Sequence, residues 1–185
     1  VHQDDYSNVI ARIPATDSSK KPMLLSAHMD VVGDDSPINI VLKDDKYIET
    51  DKKRTLGADD KAGITAAIST ACRIIENKNL KHGGLEMVFT RDEESGMSGI
   101  KHVKMNELES EYALVLDSDS FGEVMIAGAG YTNVLVEVEG LKGGHSGNDI
   151  ADTTRVNAAK LLADIVSEIP QGVYKQDEEG VVTSI

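Results

Sequence analysis

Short apolar segments, separated by polar turns and one stretch of helical periodicity, dominate the first two thirds of the chain. Short, mostly apolar runs at residues 85–90 and 112–116 are typical of buried strands. Six strands are predicted in this part of the sequence: residues 8–13, 23–27, 40–42, 46–48, 85–90 and 112–116.

A long helix is predicted after the segment TLGADDKAG, and a second one around residues 100–107. In the first, apolar residues recur at helical spacing, at Ile64, Ala67, Ile68, Ala71 and Ile75. Strands separated by helices predict an α/β fold with a mixed, largely parallel sheet between helices. Ligands of such sheets bind beyond the carboxyl ends of the strands.

The pattern changes near residue 130. Residues 132–139 alternate like a half-exposed strand, LKGGHSG forms a glycine-rich loop, and a helix is predicted at 154–169, where Pro170 ends it. We therefore expect an α/β domain at 1–130 and the start of a smaller α+β domain at 131–185. The first residues show no obvious domain start, so we expect a piece of a longer protein with an incomplete N-terminus.

Charge and cysteine content exclude several classes of function. The chain has 32 acidic and 19 basic residues and a net charge of −13, which repels phosphate backbones and anionic lipids. No apolar run reaches the length of a membrane span. We therefore expect neither a nucleic-acid nor a membrane partner. A single cysteine excludes an internal disulfide framework and fits the reducing cytoplasm.

Polar side chains with metal-binding chemistry follow the predicted strands and open the long helix. They are His28 and Asp30, Asp59 and Asp60, Asp92, Glu93 and Glu94, and Asp117 and Asp119. If the strands are parallel neighbours, these groups meet at one edge of the sheet. Facing carboxylates raise one another's pKa values unless a cation lies between them, although capping and solvated turns are the alternative roles.

A histidine among several carboxylates suits zinc, manganese or cobalt. Asp30, two residues beyond His28, could hold the second ring N–H of the imidazole. Asp59, at a helix start, could bridge two metal ions. In the pair Glu93-Glu94, one carboxylate could bind metal while its neighbour accepts a proton from metal-bound water.

Five segments, taken together, resemble the dinuclear zinc exopeptidases related to peptidase T, aminoacyl-histidine dipeptidase and carboxypeptidase G. They are LSAHMD, TLGADDKAG, RDEESG, VLDSD and GGHSG, in this order along essentially the whole chain. The resemblance implies a zinc-exopeptidase catalytic domain, followed at residues 131–185 by part of a lid domain through which relatives form homodimers.

The same resemblance implies the metal ligands. His28 and Asp117 would bind one zinc ion, Glu94 would bind the other, and Asp59 would bridge both, with cobalt or manganese as possible substitutes. It also implies a cis peptide bond between Asp59 and Asp60, whose second carboxylate is either a support for the backbone or without a special role.

The resemblance further implies three catalytic residues. Glu93 would be the general base for a metal-bridged water, Asp30 the partner of His28, and His145 a lid-domain contact to the substrate or its oxyanion. Relatives supply a final metal-binding histidine after this point, but none follows His145 in this sequence. The second zinc site is therefore expected to be incomplete in this chain.

The leading hypothesis is a peptidase T-like aminopeptidase that hydrolyses short peptides. An aminoacyl-histidine dipeptidase, favoured by LKGGHSGNDI, and an N-acyl-amino-acid deacylase are the enzymatic alternatives. A non-catalytic assembly module is the alternative from a different class. The absent final histidine favours such a module, whereas the intact Glu93-Glu94 pair argues against it.

Overall fold

The computed structural model describes residues 1–128, 130, 132–178, 180 and 182–184, and in this part of the chain strands precede and follow two α-helices. The chain divides into two units, Val1–Glu123 and Val124–Ile185. The first unit contains β1 (His2–Gln3), β2 (Val9–Ile13), β3 (Met23–His28), β4 (Ile40–Lys43), β5 (Tyr47–Thr50), α1 (Ala58–Glu76), β6 (Leu85–Thr90) and β7 (Tyr112–Val115). The second contains α2 (Ala158–Ser167), β8 (Val173–Gln176) and β9 (Val182–Ser184).

The central sheet of the first unit has five strands in the order β1-β2-β6-β3-β7. β3 runs parallel to both β6 and β7, whereas β2 runs antiparallel to β6 and to β1. The carboxyl ends of β3, β6 and β7 therefore meet at one edge, where β2 begins. This mixed sheet, parallel at its centre, confirms the predicted fold class.

Both faces of the sheet are covered by apolar side chains. On one face, the small residues Ala67 and Ala71 of α1 pack in one buried cluster with Leu25 of β3 and Met87 of β6. A second cluster joins β2 and β6 with the segment that follows the 91–99 loop. β6 lies between the two clusters, and all six of its residues are buried, as its short apolar run predicted.

The predicted helix at 100–107 is wrong. Two separate 3-10 turns, Ile100–His102 and Met105–Glu107, occupy this segment. Val103 between them has an extended backbone, and its side chain is buried in the second apolar cluster. An extended residue interrupts the helical hydrogen bonds, so a continuous helix cannot pass through it.

Two other predictions fail because of strand pairing. The segment 132–139 is described throughout and forms no strand. Backbone pairing with a neighbour stabilises a strand, and among the described residues of the second unit the only paired strands are β8 and β9. The strand predicted as buried at 112–116 appears as β7, an edge strand that is exposed along its length because it pairs with β3 alone.

Candidate metal centre

The three parallel strands bring their carboxyl ends to one edge of the sheet. His28 is the last residue of β3 and lies beside Thr90, the last residue of β6. Pairing with β7 continues one residue further, where the backbone N–H of Leu116 donates to the carbonyl oxygen of Ser26 over 2.8 Å. Asp117 and the loop after Thr90 therefore both start next to His28.

His28 is buried, and both of its ring nitrogens have partners. Nδ1 lies 2.9 Å from the backbone carbonyl oxygen of Asp30, and Nε2 lies 2.7 Å from Oδ1 of Asp59. Because a carbonyl oxygen only accepts, Nδ1 carries the hydrogen. In the neutral ring, the lone pair of Nε2 then faces a carboxylate oxygen. A proton or a metal ion removes the repulsion between these two atoms, so the pair fits a cation.

Four carboxylates lie close enough to the imidazole of His28 to share a metal ion with it. Ligand atoms of His28, Asp59 and Glu94 all lie within 4.8 Å of one another, as do those of His28, Asp60 and Asp117. Burial raises the pKa of Asp117, and the nearby charge of Asp59 raises it further. One imidazole nitrogen with several carboxylate oxygens is a donor set that zinc, cobalt and manganese accept.

The first turn of α1 contains two aspartates, one exposed and one buried. The peptide bond between Asp59 and Asp60 is cis, as the resemblance implied, and neither residue has helical backbone angles. The side chain of Asp59 is 70% exposed. Asp60 is buried and accepts hydrogen bonds from the backbone N–H groups of Gly63, over 3.0 Å, and His28, over 3.2 Å. Asp60 therefore ties α1 to β3 while adding charge to the centre.

Asp30 connects β3 to the loop that carries the two glutamates. Its Oδ1 accepts from the backbone N–H of Glu93 over 3.0 Å, and its Oδ2 accepts from that of Glu94 over 3.1 Å. Its backbone carbonyl contacts the ring of His28, whereas its carboxylate is 3.5 Å from that ring. Asp30 thus orients the imidazole through its backbone and the Glu93-Glu94 pair through its side chain.

Glu93 faces the centre from a half-buried position. Burial raises its pKa, and the charges of Asp117, Glu94 and Asp30 raise it further, while His28 opposes the rise. A pocket of about 200 Å³ is lined by Glu93, His28 and Asp117 together with apolar groups that include Met97. The pocket thus has titratable groups beside an apolar wall, a combination that suits a small organic ligand.

His145 lies in the second unit and is described within it. Its Nδ1 accepts from the backbone N–H groups of Gly147, over 3.1 Å, and Asn148, over 3.2 Å. The hydrogen of the neutral ring is therefore on Nε2. The backbone N–H of His145 donates to Asp149 over 2.8 Å, and Asp149 pairs with Arg155 over 2.9 Å. These contacts fix the loop and leave the exposed His145 with a hydrogen-bond donor at Nε2.

The sequence leaves the role of Asp60 open between a support for the backbone and no special role, and it misses one residue that supports the centre. Asn8 was treated only as the start of a strand. Its side chain is fully buried and contacts the loop after β6, and this contact joins parts of the chain that are 91 residues apart. No local pattern marks such a contact.

None of the helices in the described part of the chain combines the length and the apolar character that a membrane crossing requires. Residues 8–169 match the model of peptidase family M28. The cytosol non-specific dipeptidase of Escherichia coli K12 is 32% identical over 190 residues, covering 88% of this chain and 38% of that protein.

Two further similarities concern peptidase T proteins. Peptidase T of Escherichia coli O1:K1 is 37% identical over 133 residues, covering 72% of this chain and 31% of that protein. The crystal structure of aminopeptidase PepT from Bacillus cereus matches with a TM-score of 0.63 at 28% identity, covering 89% of this chain and 43% of that chain. The chain spans less than half the length of these relatives. These similarities confirm the predicted resemblance, and the match over residues 8–169 shows that the chain belongs to peptidase family M28.

Proposed function

We propose that the protein is a metal-dependent exopeptidase that hydrolyses short peptides, of the peptidase T-like aminopeptidase type. One observation carries this proposal: a buried imidazole and several carboxylates converge at the carboxyl edge of the sheet, in a chain that belongs to a peptidase family. Such a cluster of like charges is unfavourable by itself and becomes favourable when a divalent cation neutralises it.

We assign His28, Asp59, Glu94 and Asp117 as the metal ligands. Zinc is the proposed metal, two ions in a complete site, and cobalt and manganese accept the same donors. The bound metal would supply Lewis-acid polarisation of the scissile carbonyl and lower the pKa of the attacking water. The carbonyl of Asp30 holds the ring of His28 in the tautomer that leaves Nε2 free to bind metal.

We assign the proton transfers to Glu93. Its half-buried carboxylate, with a raised pKa, is suited to take a proton from the attacking water and to deliver it to the departing amine. Asp30 holds the backbone of Glu93 and Glu94 in place. On the basis of the resemblance alone, we assign to His145 a contact with the substrate or its developing oxyanion.

A dipeptidase is the second candidate, because the chain is 32% identical to a protein named cytosol non-specific dipeptidase. The sequence also left open an N-acyl-amino-acid deacylase. We further propose a cytoplasmic location and a homodimer that forms through residues 131–185, on the basis of the resemblance alone. A panel of tripeptides, Xaa-His dipeptides and N-acyl amino acids separates these activities by which class is hydrolysed.

The decisive experiment removes metal and the base separately. Chelation should abolish hydrolysis, and adding Zn²⁺, Co²⁺ or Mn²⁺ back should restore it. Glu93→Gln should lower kcat by about 10² to 10⁴-fold while zinc content stays unchanged. Glu76→Gln, at an exposed position at the end of α1, is the matched control and should keep full activity.

Three results would contradict the proposal. If Glu93→Gln stays active, Glu93 is not the base, and if it loses zinc together with activity, its assigned role is wrong. Bound zinc without hydrolysis of any member of the panel would favour the non-catalytic assembly module.

A further inference from the structure

A fully buried asparagine lies behind the loop that carries Glu93 and Glu94. Asn8 directly precedes β2, and none of its surface is exposed. Because β2 is antiparallel to β6, Val9 lies opposite Phe89, near the end of β6. The side chain of a residue from the beginning of the chain therefore reaches the carboxyl edge of the sheet.

The amide of Asn8 binds both ends of this loop. Its Nδ2 donates to the carbonyl oxygen of Gly99 over 3.0 Å, and its Oδ1 accepts from the backbone N–H of Arg91 over 3.3 Å. The second hydrogen of Nδ2 goes to Oδ2 of Asp4 over 2.8 Å. Both donors and the acceptor of the side chain are therefore used. A buried amide that is fully satisfied in this way is rigid and costly to disturb.

Further contacts connect the two ends of the loop. The backbone N–H of Gly99 donates to the carbonyl oxygen of Arg91 over 3.2 Å. A side chain at position 99 would collide with that carbonyl and with Oδ1 of Asn8. At the opposite side, Asp30 binds the backbone N–H groups of Glu93 and Glu94. Asn8 and Asp30 thus hold the same loop from two sides.

We propose that Asn8 is a positioning residue for the Glu93-Glu94 pair. This inference rests on the proposed function, in which Glu93 moves protons and Glu94 binds metal. Asn8 touches neither carboxylate and acts through the backbone of Arg91 and Gly99. A displacement of about 1 Å in a catalytic group can lower the rate about 100-fold. The rate of hydrolysis should therefore depend on how firmly Asn8 holds the loop.

Two substitutions test the inference in the native protein supplied with Zn²⁺. Asn8→Asp keeps the size of the side chain but removes both N–H donors and places a carboxylate against Asp4 and the carbonyl of Gly99. Asn8→Ala removes the contacts without adding charge. Both should lower kcat by about 10- to 100-fold, because the loop no longer holds Glu93 and Glu94 in place.

The control variant is Glu86→Gln. Glu86 is also a buried polar residue with three hydrogen-bond donors around it, but it lies at the opposite end of β6. Glu86→Gln should lower the free energy of unfolding. At temperatures where all variants are folded, it should leave kcat unchanged. Equal losses of kcat in the Asn8 and Glu86 variants would overturn the inference, because loss of stability would then account for both.

Hydrogen exchange gives a second measurement that needs no substrate. Asn8→Ala should speed the exchange of the amides of Glu93 and Glu94 and leave those of β3 unchanged. Unchanged exchange in the loop, or faster exchange with an unaltered kcat, would overturn the positioning role. If the wild-type protein hydrolyses no peptide, the proposed function fails, while exchange still decides whether Asn8 holds the loop.

Discussion

Glu86 is a buried carboxylate in β6, and its replacement by glutamine tests how much of the stability of the sheet depends on this charge. Its Oε1 accepts from Nε of Arg12 over 2.9 Å. Its Oε2 accepts from the backbone N–H groups of Glu109 and Ser110, each over 2.9 Å. The carboxylate therefore joins β6 to β2 and to the segment before β7.

The magnitude follows from these three hydrogen bonds. A glutamine has one acceptor oxygen, so its NH₂ group must face either Arg12 or the two backbone donors. At least one hydrogen bond is lost, and the others lose their charge. Hydrogen bonds to charged groups contribute about 1.5–3 kcal/mol each. Arg12 is half exposed and can bind water instead, so we expect Glu86→Gln to lower the free energy of unfolding by about 2–4 kcal/mol at pH 7.

The loss of stability in Glu86→Gln should become smaller as the pH falls. Burial alone would raise the pKa of Glu86, but the hydrogen bonds from Ser110, Glu109 and Arg12 outweigh burial and hold the pKa below its ordinary value. The stabilisation is therefore complete above the pKa of the unfolded chain, about 4.3. It is lost as the pH falls further through the lower pKa of the folded state, because only the unfolded chain binds the proton at first.

Urea denaturation of both proteins between pH 7 and pH 3 measures the difference directly. The gap between wild type and Glu86→Gln should be largest at neutral pH and should shrink below about pH 4.3. Glu76→Gln, at an exposed helix end, should stay within about 0.5 kcal/mol of wild type. A gap that is constant over this pH range, or absent at pH 7, would refute the reasoning.

Two further substitutions test the metal centre and the second unit. In Gly63→Ala, the added methyl group would collide with the carboxylate of Asp60 and the carbonyl oxygen of Leu116. Zinc affinity measured by titration should fall about 10- to 100-fold, and wild-type affinity would contradict the support role of Asp60. The side chain of Asn157 caps α2 by accepting from the backbone N–H of Lys160 over 3.1 Å. Asn157→Ala should therefore cost about 1 kcal/mol in urea denaturation, whereas Asn157→Asp should be nearly neutral, and equal losses in the two variants would rule out the cap.

The parallel strands at the centre of the sheet could be predicted from the sequence alone. β6 is buried on both faces and is apolar apart from Glu86 and Thr90, and the strand was predicted with its observed ends. Because parallel strands end at one edge, the residues that follow them could be expected to meet. The ligand atoms of His28, Asp60 and Asp117 do approach within 4.8 Å. Their roles as metal ligands or supports stay predictions.

The errors arose where distant contacts override local pattern. Val103 fits a helical pattern but is drawn into the second apolar cluster in an extended conformation, which divides the expected helix into two turns. Residues 132–139 have the alternation of a strand, but alternation does not provide a neighbouring strand. The contacts of Asn8 depend on the antiparallel pairing of β2 with β6, and they reach a residue 91 positions away. No short segment of sequence contains this information.

The antiparallel position of β2 has a consequence for how the protein is made. Asn8 leaves the ribosome before its partner Gly99, which follows 91 residues later. At the usual 5–20 residues per second, this interval lasts roughly 5–20 s. During that time β2 lacks β6, the strand that separates it from β3 in the finished sheet. The nascent chain therefore exposes unpaired backbone N–H and C=O groups along the edges of β2 and β3 that β6 later covers. A chaperone that covers these edges in this interval should raise the yield of folded protein.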